Sequence, residues 1–322
     1  MMEARRKRQS AYGGSGMRTL LNEWRHFRKH QELFWLTLPG IAYKLIFAYL
    51  PMFGIIVAFK NYRFDKGILG SDWVGFANFR YFFVSDIAWR ITRNTVLYGV
   101  SYFVIGTVCA VAFAIMLNEV RRRWIKVYQT SMFLPYFLSW VLVSYIVYAF
   151  LDHGNGLLNR TIAQFGGEEI KWYQEAGVWP YILNIVQLWK GIGFSTLIYY
   201  AAIVGIDTEY YEAARIDGAS KLQMARHITV PLLTPMVVIL MIMAIGNLFR
   251  GDFGLHYFIP NNSGFTYPAT DIIDTYVYRA LRDLGDIGMS AAVGLYQSVV
   301  GFVLIIGANY AIRKINADHS LW

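Results

Sequence analysis

Glu212-Ala213-Ala214-Arg215-Ile216-Asp217-Gly218-Ala219 stands between two apolar stretches of bilayer-crossing length, and Ile228 and Pro231 follow it. Its grammar is helix, glycine, helix. Thr208 is placed to cap a helix over 209–216, and Gly218 to end it in a left-handed conformation that other residues resist. A second helix over 219–227 then leads to Pro231 at the start of the next span, where a missing N–H is harmless. Two short helices joined this way make a rigid bump on the inner membrane face. Glu212 and Asp217 give it anionic contacts, and Ala213, Ala214 and Ala219 let a second surface come close. A soluble partner that grips the bump and moves the flanking helices fits these residues; so does an ordinary helical hairpin.

The flanking sequence sets the class. Of 322 residues, 56% are hydrophobic and 16% charged, against about 25% charged in a soluble globular chain. Mean hydropathy is +0.35. A bilayer core of about 30 Å takes roughly 20 apolar residues per helix, and six stretches qualify: Phe34–Phe59, Thr95–Leu117, Ser131–Leu151, Tyr181–Ile206, Pro231–Leu248 and Gly288–Ile312. The first exceeds the apolar core of a secretory signal, about 7–15 residues, and reads as an uncleaved anchor. Pro39, Pro51, Gly191 and Gly193 lie inside spans, where neighbouring helices can re-satisfy the backbone. The predicted fold is an all-α integral membrane protein of six transmembrane helices. Residues 1–30 form a cytoplasmic N-terminal tail, and 31–322 the membrane domain, with the inner loop at 207–230.

Basic residues orient it. Segments 1–33, 118–130, 207–230 and 313–322 hold 17 Lys and Arg, and the alternate segments 60–94, 152–180 and 249–287 hold 11 over a greater length. This bias puts both termini in the cytoplasm, although Arg63, Lys66, Arg80, Arg90 and Arg93 weaken the contrast. The net charge of +9 follows mostly from that asymmetry. The Arg5–Arg8 cluster suits anionic membrane lipid, and nothing asks for nucleic acid. Among the outer segments, 271–283 reads as a short helix lying at the interface. Residues 152–180 read as a compact loop with Trp172 and Trp179 as interface anchors.

Other chemistry is thin. Cys109 is the one cysteine, so it forms no internal disulfide, and no Cys/His spacing suits a metal. His153, His227 and His256 lie on separate loops, and no spacing selects a catalytic pair from Asp152, Asp252, Asp271, Asp274 and Asp286. No Gly-x-x-x-x-Gly-Lys-Ser/Thr occurs, so a nucleotide site in this chain is not expected.

The ordered set Glu-Ala-Ala, Asp-Gly-Ala, Ile228 and Pro231 resembles the EAA motif of permease subunits of type I ATP-binding-cassette importers. Tyr211 before Glu212 and Ile-Thr-Val-Pro-Leu-Leu-Thr-Pro at 228–235 resemble the carbohydrate-uptake branch. Similar words recur at Tyr49-Leu50-Pro51-Met52, Gly75-Phe76-Ala77-Asn78-Phe79 and Leu134-Pro135-Tyr136-Phe137-Leu138-Ser139-Trp140. Importers of uronic-acid oligosaccharides, such as the alginate and aldouronate systems, are the nearest likeness. The resemblance implies that Glu212, Ala213, Ala214, Asp217, Gly218 and Ala219 form a coupling helix seated on a cytoplasmic ATPase. It implies as partners a second permease, two ATPase subunits that bind ATP and Mg, and an extracytoplasmic solute-binding protein. The chain itself is then no enzyme and holds no cofactor.

Buried charge speaks to substrate. Lys190 falls mid-span, with Gln187, Gly193 and Phe194 at helical spacing, and an intramembrane Lys usually faces a cavity or a partner. Likeness to the maltose importer places Lys190, Gly191 and Phe194 at a sugar site, and adds Asn247 and Arg250 from the helix after the EAA loop. Lys190 and Arg250 stand where that importer is uncharged, so the expected cargo is an anionic oligosaccharide, bound by Gln187, Lys190, Gly191, Phe194, Asn247 and Arg250. Weaker alternatives set Arg250 in a headgroup position beside Asp252 and pair Lys190 with a carboxylate of the second permease. Lys44 is also mid-span, where it can snorkel. Three alternatives stay open: a neutral oligosaccharide, an ion-coupled secondary transporter, and an intramembrane enzyme. The last two lack support, because the spans carry neither acidic residues nor a nucleophile with a positioned base.

Overall fold

The computed structural model describes residues 31–315; the expected tail at 1–30 and the extreme C-terminus lie outside them. The described part of the first of two compact units, which ends at Ile56, belongs to helix α1, Gln31–Phe59. Its ladder loosens where prolines remove donors. An α-helical start with Pro39 inside passes through a π turn over Leu45–Tyr49 into a 3-10 stretch beginning at Leu50 and Pro51. No residue of the first two stretches is buried. Lys44 is exposed on it.

The second unit begins at Val57. A two-residue strand β1, Lys60–Asn61, pairs antiparallel with β2, Asp72–Trp73, and buried Lys60 donates to the carbonyls of Ile68 and Leu69 at 2.8 and 2.9 Å. Helix α2 is Ala77–Val84 and α3 is Asp86–Asn118. The expected start at Thr95 was nine residues late, because Arg90 and Arg93 dilute the hydropathy of a helix that outruns the bilayer core. The expected single span Ser131–Leu151 is broken. α4, Arg122–Phe133, and a 3-10 turn through Pro135 meet α5, Trp140–Leu151, at a 97° bend. Leu138 is extended, and the Ser139 side chain accepts from Leu142 N to start α5 anew.

Helix α6, Leu157–Gln164, lies in a loop organised by buried Asn159, whose Oδ1 accepts from Ile170 N and Trp172 Nε1 at 3.1 and 3.0 Å. Trp179 is no interface anchor: fully buried, it packs among Tyr98, Leu183 and Ile272. It opens α7, Trp179–Val204, two residues short of the expected end. α8, Thr208–Ile216, follows at 72°. α9 runs unbroken over Lys221–Gly246, absorbing both the expected helix over 219–227 and the span expected from Pro231. α10 is Phe253–Phe258, α11 is Ile273–Arg282 and α12 is Ile287–Ile315. Among the described residues, four continuous helices are long and apolar enough to cross a membrane, and counting each bent pair as one span brings the number to six.

α7 packs along α3, and α12 against α9 and α11. The expected interface helix at 271–283 is instead docked: Ile273, Thr275 and Ala280 are buried. Asp271 holds it there. Its Oδ2 accepts from Arg279 at 2.7 Å with Arg90 at 3.8 Å, its Oδ1 accepts from Thr275 at 2.7 Å, and its carbonyl accepts from Asn94 at 3.0 Å.

Candidate functional site

The loop after α7 is capped at every turn. Asp207, not Thr208, starts α8, accepting from Glu209 N at 3.0 Å. Thr208 already lies inside the helix, and the carboxylate of Asp207, one position earlier on extended backbone, reaches the free donor. Gly218 sits at φ +77°, and Ala219 N closes back onto the Ala214 carbonyl at 2.9 Å, a left-handed helix stop. Ser220 and Gln223 then exchange side chain-to-backbone bonds in a capping box. Tyr211 and Thr229 share a hydroxyl–hydroxyl bond of 2.9 Å, and Lys221 pairs with Glu119 at the end of α3. Glu212, Ala213, Asp217 and Gly218 are exposed, Ala214 and Ala219 half-buried. Ile216 is 87% and Leu222 80% exposed, so the tip offers apolar side chains beside anionic ones. A cavity of about 720 Å³ behind it is walled by Glu212, Arg215 and Tyr211 with Met116, Ile203 and Met224.

A second cluster forms where the broken third span meets α7. Gly193 makes it possible: a Cβ there would lie 2.0 Å from the Met132 carbonyl oxygen. This contact brings the break against Lys190 and Phe194. Lys190 Nζ donates to the Tyr136 carbonyl at 3.0 Å, a group freed by the end of the 3-10 turn. The ammonium also lies 4.8 Å from the Trp140 ring centroid and 5.3 Å from that of Tyr136. Phe194 stacks on Tyr136 at 4.9 Å and 11°, with Phe133 beyond. Phe194 and Tyr136 are each 42% exposed, so the plates are open. Lys190 is eleven residues into α7, about 16 Å at 1.5 Å per residue.

The other expected residues go elsewhere. Gln187 and Gly191 face α3, lining a small cavity of about 70 Å³ with Tyr102 and Asn184, and Gln187 Oε1 is buried without a partner. Asn247 and Arg250 lie exposed past the end of α9, where Arg250 N closes a turn onto the Asn247 carbonyl at 2.8 Å. Arg250 is not held by Asp252. Asp252 accepts from Trp140 Nε1 at 3.0 Å and caps α10 through Leu255 N. The acid that feels Arg250 is Asp274, which accepts from Gly251 N and Gln297. Burial raises its carboxyl above the usual range; those two hydrogen bonds and the Arg250 charge oppose the rise. Tyr136, Trp140 and Asp252 were not foreseen. Their signals were Pro135, which ends a helix, and aromatic residues at 133, 136, 137 and 140 around it.

His256 is fully buried between the Thr270 carbonyl at 2.8 Å and Tyr102 at 3.1 Å. Burial lowers its pKa to about 4, so it is neutral and structural.

Residues 103–317 match the family described as "Binding-protein-dependent transport system inner membrane component". The sequence is 35% identical to Protein LplB of Bacillus subtilis (strain 168), covering 90% of this chain and 91% of that one. It is 36% identical to the polygalacturonan/rhamnogalacturonan transport system permease protein YteP of the same organism, covering 90% of each. Its fold matches a crystal structure of a bacterial alginate ABC transporter in complex with an alginate pentasaccharide-bound periplasmic protein. That match has a TM-score of 0.82 and 30% identity, over 91% of this chain and 97% of the other.

Proposed function

The chain belongs to the inner membrane components of binding-protein-dependent transport systems and is a carbohydrate ABC importer permease; on that premise we propose that its cargo is a uronate-containing oligosaccharide. The observation that carries this is the Lys190 ammonium set over Trp140 beside the open Tyr136–Phe194 plates. Sugar rings lay apolar faces on aromatics, and a uronate adds a carboxylate that an ammonium attracts strongly in a low dielectric. The relatives named for alginate and polygalacturonan point the same way.

The power comes from outside the chain. Two cytoplasmic ATPase subunits grip this hairpin and that of a second permease, both termini lying on their side of the membrane. A loaded solute-binding protein docks on the outer loops, ATP-driven closure swings the bundles outward, and hydrolysis resets them. Glu212 and Asp217 reach the ATPase as anions, and the exposed Ile216 presents an apolar side chain beside them.

Uptake by the reconstituted complex, comparing uronate and neutral oligosaccharides of equal length, tests the substrate. Lys190→Gln keeps a donor for the Tyr136 carbonyl but loses the charge. Loss of a charged hydrogen bond of about 1.5–3 kcal/mol should slow uronate uptake roughly ten- to a hundredfold and leave neutral uptake nearly unchanged. Equal slowing of both, or neutral uptake alone in wild type, would sink the proposal.

The hairpin is tested separately. Gly218→Val forces a β-branched residue to φ +77°, at about 1–2 kcal/mol, and should release most of the co-purifying ATPase. Gly218→Asn, which tolerates that region better, should retain more. Equal ATPase recovery in all three proteins would remove the hairpin from the coupling path.

A further inference from the structure

Beyond Trp140 a second aromatic group stands on α10 and α11. Asp252 accepts from Trp140 Nε1 and begins α10, and Gly254 lies so close that a Cβ there would meet Trp140 Cδ1 at 2.1 Å. α10 is thus pressed onto the ring that holds Lys190. Its first residue, Phe253, stacks on Tyr257 one turn later, at 4.9 Å and 18°. Tyr278 of α11 stands against both, at 4.8 and 5.1 Å. The three rings are half-buried, which a purely internal core cluster would not leave.

Arg282 closes this patch. Its guanidinium lies 5.7 Å from the Tyr278 centroid, and Nη1 donates to the hydroxyls of Tyr278 at 3.0 Å and Tyr257 at 3.4 Å. Both bonds use one nitrogen. The opposite edge, Nε and Nη2, is the pair of parallel donors that a carboxylate takes bidentately. Arg282 is exposed, and among the described residues it enters no ion pair. Arg279, one turn earlier, spends its charge on Asp271 at 2.7 Å. Of these two neighbouring cations, one is structural and the other is held in place by phenols with its recognition edge open.

We propose that Arg282 with Phe253, Tyr257 and Tyr278 forms an outer uronosyl subsite, which receives one end of an oligosaccharide whose other end reaches Trp140 and Lys190. The inference rests on the uronate reading above and adds a second carboxylate position. Both subsites share one chemistry: an aromatic face for the sugar ring and a cation for its acid. The patch lies at the end of α9 opposite the 207–220 hairpin, where cargo enters under the proposed orientation. The same face also meets the solute-binding protein. Carbohydrate is favoured over that protein by the packing of α10 onto Trp140 through Asp252 and Gly254, which ties the patch to the Lys190 cluster, and by the open guanidinium edge.

The subsite predicts a dependence on chain length. Uptake of a uronate disaccharide and a uronate pentasaccharide is measured in proteoliposomes holding the complete transporter, with wild type, Arg282→Gln and Tyr278→Leu. The disaccharide satisfies one subsite and should be transported by both variants within about twofold of wild type. Pentasaccharide uptake should fall at least fivefold in each. Affinity of the solute-binding protein for the transporter is measured alongside. If Arg282→Gln slows both lengths equally, or weakens docking of the unloaded binding protein, the patch is a docking contact and the subsite is overturned. If no uronate is transported by wild type, the substrate reading has failed instead. Transport of the disaccharide also reports that both variants fold.

Discussion

Asp271→Ala is expected to destabilise the permease by about 3–5 kcal/mol, the range for removing one partner of a buried ion pair. The side chain is 1% exposed and that of Arg279 15%. Removing the carboxylate strands a charged guanidinium and leaves the Thr275 hydroxyl only its bonds to Ile272, while the Tyr267 ring, 4.1 Å from Arg279, offers only partial shelter. Thermal unfolding of the detergent-purified transporter should show a midpoint several degrees lower. Asp271→Asn keeps the acceptor geometry and should fall between. The double variant Asp271→Leu/Arg279→Met should recover much of the loss, because a buried pair replaced by apolar residues is often neutral. Additive losses in the double variant would mean that the two side chains act independently.

Gly193→Ala should have the next largest effect. One methyl group, placed 2.0 Å from the Met132 carbonyl oxygen and 2.7 Å from Phe133 N, drives into the peptide unit joining those residues, and backbone cannot rotate away. Overpacking of this kind costs about 1–3 kcal/mol, occasionally more. The neighbouring Gly191 has no atom within 4 Å of its Cβ position, so Gly191→Ala is the control and should unfold like wild type. The clash also separates α7 from the broken span. Gly193→Ala should therefore lose uptake of every oligosaccharide, charged or neutral, where Lys190→Gln discriminates between them. Equal midpoints for the two glycine variants would show that the helices are not held this closely in the membrane.

Much of this architecture was legible because hydropathy and capping act locally. Gly218 was read as left-handed from its place between two helical patterns, and it is. The six apolar stretches fell on the right helices. What failed was wherever a helix's surroundings changed along its length. α3 runs on past the membrane through Arg90 and Arg93 because the Asp271 carbonyl awaits its Asn94 there, a contact between residues 177 apart that no window contains. The third span was read as straight because residues 131–151 are uncharged and mostly apolar. Hydropathy reports the solvent a segment prefers, not its direction. Pro135 and Ser139 were the marks of the break, and an apolar run outweighed them. Lys190 stood out as a charge in a span, yet its partners come from another helix and could be found only in three dimensions. Gln187 shares its helix but turns to α3, and spacing alone had grouped it with Lys190.

The bond from Lys190 to the Tyr136 carbonyl joins two spans 54 residues apart in the chain, and this bears on how the protein is made. Synthesis proceeds from the N-terminus, so the third span enters the membrane before the fourth exists. At that moment the peptide oxygen its break exposes has no donor in its own segment, and hydrocarbon supplies none. The bend is therefore completed by its successor, when α7 arrives with an ammonium for the oxygen and, at Gly193, a bare backbone for the break to rest on. A nascent chain halted before residue 179 would carry its third span unfinished.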